Sequence, residues 1–190
     1  MTHPLAFISN SARKPAFFAL LAWTLVLFAV FQVLNTPLTT SAAPAGIFSH
    51  QFAWTPEKAQ AILSSWEGRA SLFAAFGLGF DYLFMPSYAL TVALGALLAA
   101  GRRSGWLARL GTWAAYGVFT AAVFDALENI GQAQQLLNGF VTGPVTHFVG
   151  VCATIKFALL LLGIFYGLVG WLLPTRYCVP CWNRDYHVNI

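Results

Sequence analysis

The chain reads as an all-α membrane protein, a four-transmembrane-helix bundle with a short amphipathic helix in the outer loop between helices 1 and 2. Three observations predict this. Of 190 residues, 58% are hydrophobic and 8% charged, against about 25% charged in an ordinary soluble domain; mean hydropathy is +0.68. Four apolar runs, 16–34, 70–100, 106–136 and 145–173, are long enough to cross a bilayer, since about 20 helical residues span its hydrocarbon core. No alternating ten-residue strands suggest a barrel, so helices must satisfy the backbone in lipid. Four helices make a single membrane domain over 1–190, with 35–69 as outer loop and 174–190 as cytoplasmic tail.

The first run follows Arg13 and Lys14, and Ala43-Pro44-Ala45 resembles a small-residue cleavage site. Its apolar core nevertheless exceeds the about 7–15 residues of a signal peptide, which points to a retained anchor. Residues 35–45, rich in Thr, Ser, Ala and Pro, read as irregular loop. In TPEKAQAILSSW, Thr55 is a natural N-cap, Pro56 fits the first helical position and Glu57 suits the positive end of the dipole. Ala59, Ile62, Leu63 and Trp66 share one face at helical spacing, which predicts a lid helix over the bundle. Trp54 and Trp66 suit the headgroup level.

Pro86 in the second run lacks an N–H and crowds the carbonyl of Tyr82, so a kink is expected just after Asp81. Gly101 to Gly105 is a short turn that makes its neighbours antiparallel. Asn138-Gly139 and Gly143-Pro144 mark the next turn. In the fourth run Gly163, Gly167 and Gly170 form a small-residue face to which another helix can come close.

The net charge of +4 reports topology. Arg13, Lys14, Arg102, Arg103, Arg109, Arg176 and Arg184 fall on one side of a chain that crosses four times. The positive-inside rule then puts both termini in the cytoplasm. With the cations so dispersed there is no basic stripe to follow phosphates, and no nucleic-acid partner is expected.

Asp81, Asp125, Glu128 and Lys156 are the ionisable residues well inside the runs. Each costs at least about 2.5 kcal/mol at the bilayer centre on insertion scales, so each should face the interior and find a partner. Counting about 1.5 Å per residue from the outer ends places Asp81 and Lys156 about 16 Å deep, with Asp125 and then Glu128 nearer the edge, a ladder opening outward. At about 100° per residue, Asp125, Glu128, Asn129 and Gln132 share one face of the third run. The Asp81 face of the second includes Gly77, Met85 and Tyr88, and the Lys156 face of the fourth includes Cys152, Ala153 and Gly163. Arg69, at the outer end of the second run, is a further candidate cation. The candidate catalytic set is Asp125, Glu128, Lys156 and Asp81; Arg69, Tyr88, Asn129 and Gln132 are candidate ligand contacts.

Other patterns carry less. Cys178-Val179-Pro180-Cys181 with His187 offers three ligands where structural zinc takes four, and C-x-x-C lacks a thioredoxin-like context. These three remain a weak metal candidate only. His147 is the sole histidine in a predicted run and lies about 180° from Lys156, so paired-histidine haem ligation within one chain is unsupported and no cofactor is expected. No G-x-S-x-G, H-E-x-x-H or P-loop pattern occurs.

TPEKAQAILSSW, FDYLFMPSY, FDALEN and IKF together resemble a group of uncharacterised small bacterial four-helix integral membrane proteins. The resemblance covers residues 52–160 and implies a four-helix membrane fold in a bacterial inner membrane. It carries no activity with it.

Two functional readings follow. In the first, the outward-opening polar cluster binds or transforms a lipophilic small molecule or handles a proton. Asp125 or Glu128 is then the proton carrier, Lys156 the electrostatic partner, and Asp81 with Tyr88 the floor. In the second the chain is an accessory or assembly subunit of a larger membrane complex, or a homo-oligomer, and the charges only fix helix register. There the apolar first helix and the glycine face of the fourth dock the partner. Membrane lipid is a partner in both.

Overall fold

The computed structural model describes residues 3–173. Helix α1 (Asn10–Asn35) runs into a 3-10 turn (Thr36–Leu38); short helices α2 (Ile47–Gln51) and α3 (Pro56–Ser65) follow, then α4 (Arg69–Ala100), α5 (Gly105–Asn138) and α6 (Gly143–Leu172). The long helices α1, α4, α5 and α6 are each long and apolar enough to cross a membrane. Helix α1 begins well before its apolar run: Asn10 to Lys14 form a polar first segment and the helix continues through Pro15.

Helix α4 is the hub. In its most apolar stretch 67% of residues are buried, against 11% in that of α1. Helices α4, α5 and α6 pack against one another, whereas α1 lies along α4 and scarcely touches α6. The outer face of α1 leaves Phe18, Trp23, Leu25, Val26 and Val33 exposed, more contiguous apolar surface than water tolerates on a monomer.

The glycines of α6 are spent inside the chain. A Cβ at Gly163 would stand 2.5 Å from Val118 Cγ2 and 3.1 Å from Val92 Cγ1, and one at Gly170 would stand 2.5 Å from Ala99 Cβ. The face expected to receive another helix therefore meets α4 and α5 at Gly163 and Gly170, while Gly167 stays half-buried beside a groove between α1 and α6. At Gly167 the nearest atoms are backbone of Gly95 and Ala96 at 3.7 to 3.8 Å, ordinary contact. Gly163→Ala is expected to destabilise by about 1–3 kcal/mol through overpacking, while Gly167→Ala stays neutral or gains helix propensity. Thermal melts in detergent separate the two.

The connection between α1 and α4 folds over one end of the bundle. Thr55 Oγ1 accepts the N–H of Lys58 at 3.3 Å and Pro56 opens α3, the cap that the sequence announces. The face carrying Ala59, Ile62, Leu63 and Trp66 packs with Leu38, Ala43, Ala53 and Ala74 into a core of its own. Trp66 is therefore interior, 3% exposed, and its Nε1 donates to the carbonyl of Leu38 at 2.8 Å. Trp66 is thus not available to a headgroup layer, whereas Trp54 is 40% exposed. Trp54 takes φ of 59°, and its ring lies over Gly150 of α6, where a Cβ would come within 2.9 Å of it.

Helix α4 continues unbroken through Pro86. Around it the hydroxyls of Ser87 and Thr91 donate to the carbonyls of Leu83 and Ser87 at 2.9 and 2.8 Å.

Candidate functional site

Lys156, on α6, is 4% exposed and bridges two carboxylates of α5. Its Nζ lies 2.9 Å from Asp125 Oδ1 and 2.6 Å from Glu128 Oε2. The three-residue spacing of Asp125 and Glu128 puts both on the α5 face turned toward α6. Tyr88 of α4 donates its hydroxyl to Asp125 Oδ2 at 2.8 Å. Gln132, one turn beyond Glu128, donates Nε2 to Glu128 Oε1 at 2.8 Å. Asn129 donates Nδ2 to Asp81 Oδ2 of α4 at 2.7 Å. Seven of the eight residues singled out from the sequence thus meet in one network.

The eighth, Arg69, does not join it. It sits exposed at the start of α4, with its guanidinium 5.3 Å from the Phe73 ring centre. It precedes Asp81 by about 18 Å of helix, too far for its side chain to reach down. The ladder of depths is likewise corrected. Helix α5 extends to Asn138 and α6 starts at Gly143, which puts Asp125 and Lys156 both about 20 Å from the lid end. The charges form a level cluster near mid-helix.

His50 and Gln51 of α2 are the residues that sequence reasoning missed. His50 is 2% exposed, and its Nδ1 lies 3.2 Å from Gln132 Oε1. Because Gln132 gives its amide N–H to Glu128, its oxygen accepts from His50, which fixes the imidazole hydrogen on Nδ1. The polar pair HQ between Phe48 and Phe52 was the available signal: polar residues flanked by aromatic ones in an apolar loop mark a segment that turns inward. Burial holds the His50 imidazole below its ordinary 6.5, outweighing the opposing hydrogen bond that it donates to Gln132. A lowered histidine stabilises the fold above the unfolded value and loses that contribution as pH falls through the lower folded value. Stability is expected to decline from about pH 6.5 downward, and His50→Gln to flatten that slope; melts between pH 5 and 8 in detergent check this.

A cavity of about 100 Å³ opens beside the network; one water needs about 10–15 Å³ on this measure. Asp81, Asp125, Asn129 and Lys156 form its base. Phe28, Phe31, Phe73, Phe84 and Phe157 form its walls, and Gln32, Asn35, Phe48 and Gln51 lie toward the lid. Leu38 and residues of α2 line that end, and α1 and α6 both contribute side chains to the wall. Glu128 and Gln132 stand behind the base and support it.

Among the described residues three buried side-chain atoms lack a hydrogen bond: His50 Nε2, Gln51 Oε1 and Glu128 Oε2. The last is ion-paired with Lys156 all the same. All three are acceptors. Among the described residues Asp81 has no cation at salt-bridge distance, so three carboxylates face one ammonium. No group of three His, Cys, Asp or Glu side chains gathers as metal ligands among the described residues. Cys178, Cys181 and His187 lie outside them. His147 is exposed on the far side of α6, with Nδ1 2.8 Å from the Gly143 carbonyl oxygen.

Charged and polar groups buried at this depth can orient a ligand, stabilise a charge or relay a proton along hydrogen bonds. In comparisons with known proteins, no family model, no curated protein and no solved structure matches the chain.

Proposed function

We propose that this is an integral membrane protein of a bacterial inner membrane, with both termini cytoplasmic, whose buried polar cluster binds a lipophilic small molecule. The observation that carries the reading is the cavity itself, with phenylalanine walls over a base of Asp81, Asp125, Asn129 and Lys156. A network that served only to fix helix register needs no space beside it. Here the charges line a space, and aromatic walls with a few convergent polar groups are what small-ligand sites generally show. The arginines at the Arg102–Arg103 turn and beside α1 support the orientation.

The accessory-subunit reading keeps the exposed apolar face of α1, while Gly163 and Gly170 of α6 already pack against α4 and α5. The test is small-molecule and lipid extraction from protein purified gently from its own membranes. A stoichiometric small molecule is the expected result. A stoichiometric protein partner, with no such molecule, would favour the accessory subunit instead.

A further inference from the structure

The charges turned toward the cavity are unequal. Its one ammonium is committed, Lys156 Nζ to Asp125 and Glu128, and Asn129 Nδ2 is committed to Asp81. Acceptors are left over. Gln51 is 6% exposed, lines the cavity, and its buried Oε1 has no partner. Asp81 accepts from Asn129 through Oδ2, stands within hydrogen-bonding and electrostatic reach of Asp125, a second carboxyl, and has no cation at salt-bridge distance among the described residues. If every carboxyl is ionised, the cluster carries two negative charges more than Lys156 neutralises, in a low-dielectric setting where such an excess is costly.

The walls point the same way. Phe31 meets Phe84 edge to face with ring centres 5.1 Å apart, and Phe28 lies 6.5 Å from Phe84. Aromatic faces attract cations electrostatically, more so when the cation is desolvated. Lys156 already uses one such contact, with Nζ 4.7 Å from the Phe157 ring centre.

We propose, building on the ligand-site reading above, that the cavity takes a small primary or secondary amine as its ammonium, with N–H donors to Asp81 and Gln51 and the hydrocarbon part against Phe28, Phe31 and Phe84. The ammonium supplies the missing positive charge and the missing donors together. A neutral alcohol supplies one donor and no charge. A quaternary ammonium supplies charge and no donor.

The test is calorimetric titration of the full-length protein in detergent at pH 7 with benzylammonium chloride and, separately, benzyl alcohol. Gly77→Leu provides the blank for partition into micelles: Gly77 lines the cavity, and a Cβ there meets nothing within 4 Å, so a larger side chain fills the space without a clash. One-to-one binding of benzylammonium is expected, at least tenfold tighter than the alcohol, at least tenfold weakened in Gln51→Leu and lost in Asp81→Asn. Asp81→Asn keeps an oxygen for Asn129, and its melt shows whether the fold is intact; if it is not, Gln51→Leu decides. Equal affinity for the alcohol, or benzylammonium binding that survives both substitutions, would overturn the cation class while leaving a lipophilic ligand site standing. Failure of both probes to bind above the Gly77→Leu blank would count against both.

Discussion

Lys156→Met is expected to destabilise the protein by about 3–5 kcal/mol, the usual cost of stranding a buried charge. It strands two, since Nζ is the cation for both Asp125 and Glu128. The neighbours cannot replace it: Tyr88 already donates to Asp125 and Gln132 to Glu128. The compensated triple variant Asp125→Asn, Glu128→Gln, Lys156→Met removes all three charges at nearly constant shape, and is expected to recover most of the loss, because replacing a buried ion pair by neutral groups is often close to neutral. Asp125→Asn alone should be milder than Lys156→Met, since Lys156 keeps Glu128. Unfolding in mixed micelles with increasing denaturing detergent ranks the four proteins. A Lys156→Met variant as stable as wild type would show that another cation serves the carboxylates.

Trp66→Ala is the second large effect. The indole is almost fully buried in the lid core and holds the Leu38 carbonyl through Nε1. Truncation removes the largest side chain of that small core, at about 3–5 kcal/mol, and leaves the carbonyl of Leu38 unpaired, at about 1–3 kcal/mol. The lid core shares few residues with the packing of α4, α5 and α6, so the loss should fall on the lid, through local opening of 36–68 rather than unfolding of the long helices. The expected result is faster proteolysis within 39–55 with helical circular dichroism unchanged. Because Leu38 and α2 cover the cavity, ligand retention should fall as well. Trp66→Phe keeps most of the packing and loses only the donor, so it should lie between.

The four long helices were legible because apolar length against bilayer thickness is a strong constraint, and the facing of Asp125, Glu128 and Lys156 followed from helical angle alone. Thr55, Pro56 and Glu57 announced α3 through local capping chemistry. Angle, however, fixes a face and leaves the neighbour open. The glycines of α6 looked equally suited to a partner or to α4, and only the assembled chain shows the choice. Arg69 is a candidate cation in the sequence because sequence gives a charge and a side but not a reach. The contribution of His50 and Gln51 depends on a non-local fold-back of 47–51 onto α5, over more than eighty residues of sequence in the His50–Gln132 contact. Trp66 illustrates the remaining ambiguity: an aromatic residue on an apolar face near a helix end fits both a membrane interface and a small separate core, and the neighbouring Leu38, 28 residues away in the chain, decides it.

A ligand site that also contains structural charges is best probed where no charge is touched. Gly77 lies one turn before Asp81, lines the cavity, and has open space where a side chain would go. Gly77→Leu should fold at least as well as wild type, since leucine exceeds glycine in helix propensity by about 1 kcal/mol, yet occupy the space a ligand needs. Native mass spectrometry of both proteins, released from their own membranes under the same gentle conditions, is the decisive comparison. A small molecule bound one to one in wild type and absent from a fully folded Gly77→Leu is the expected result. Its absence from both, or equal retention by both, would contradict a binding function for the cavity and leave the buried charges a structural role alone.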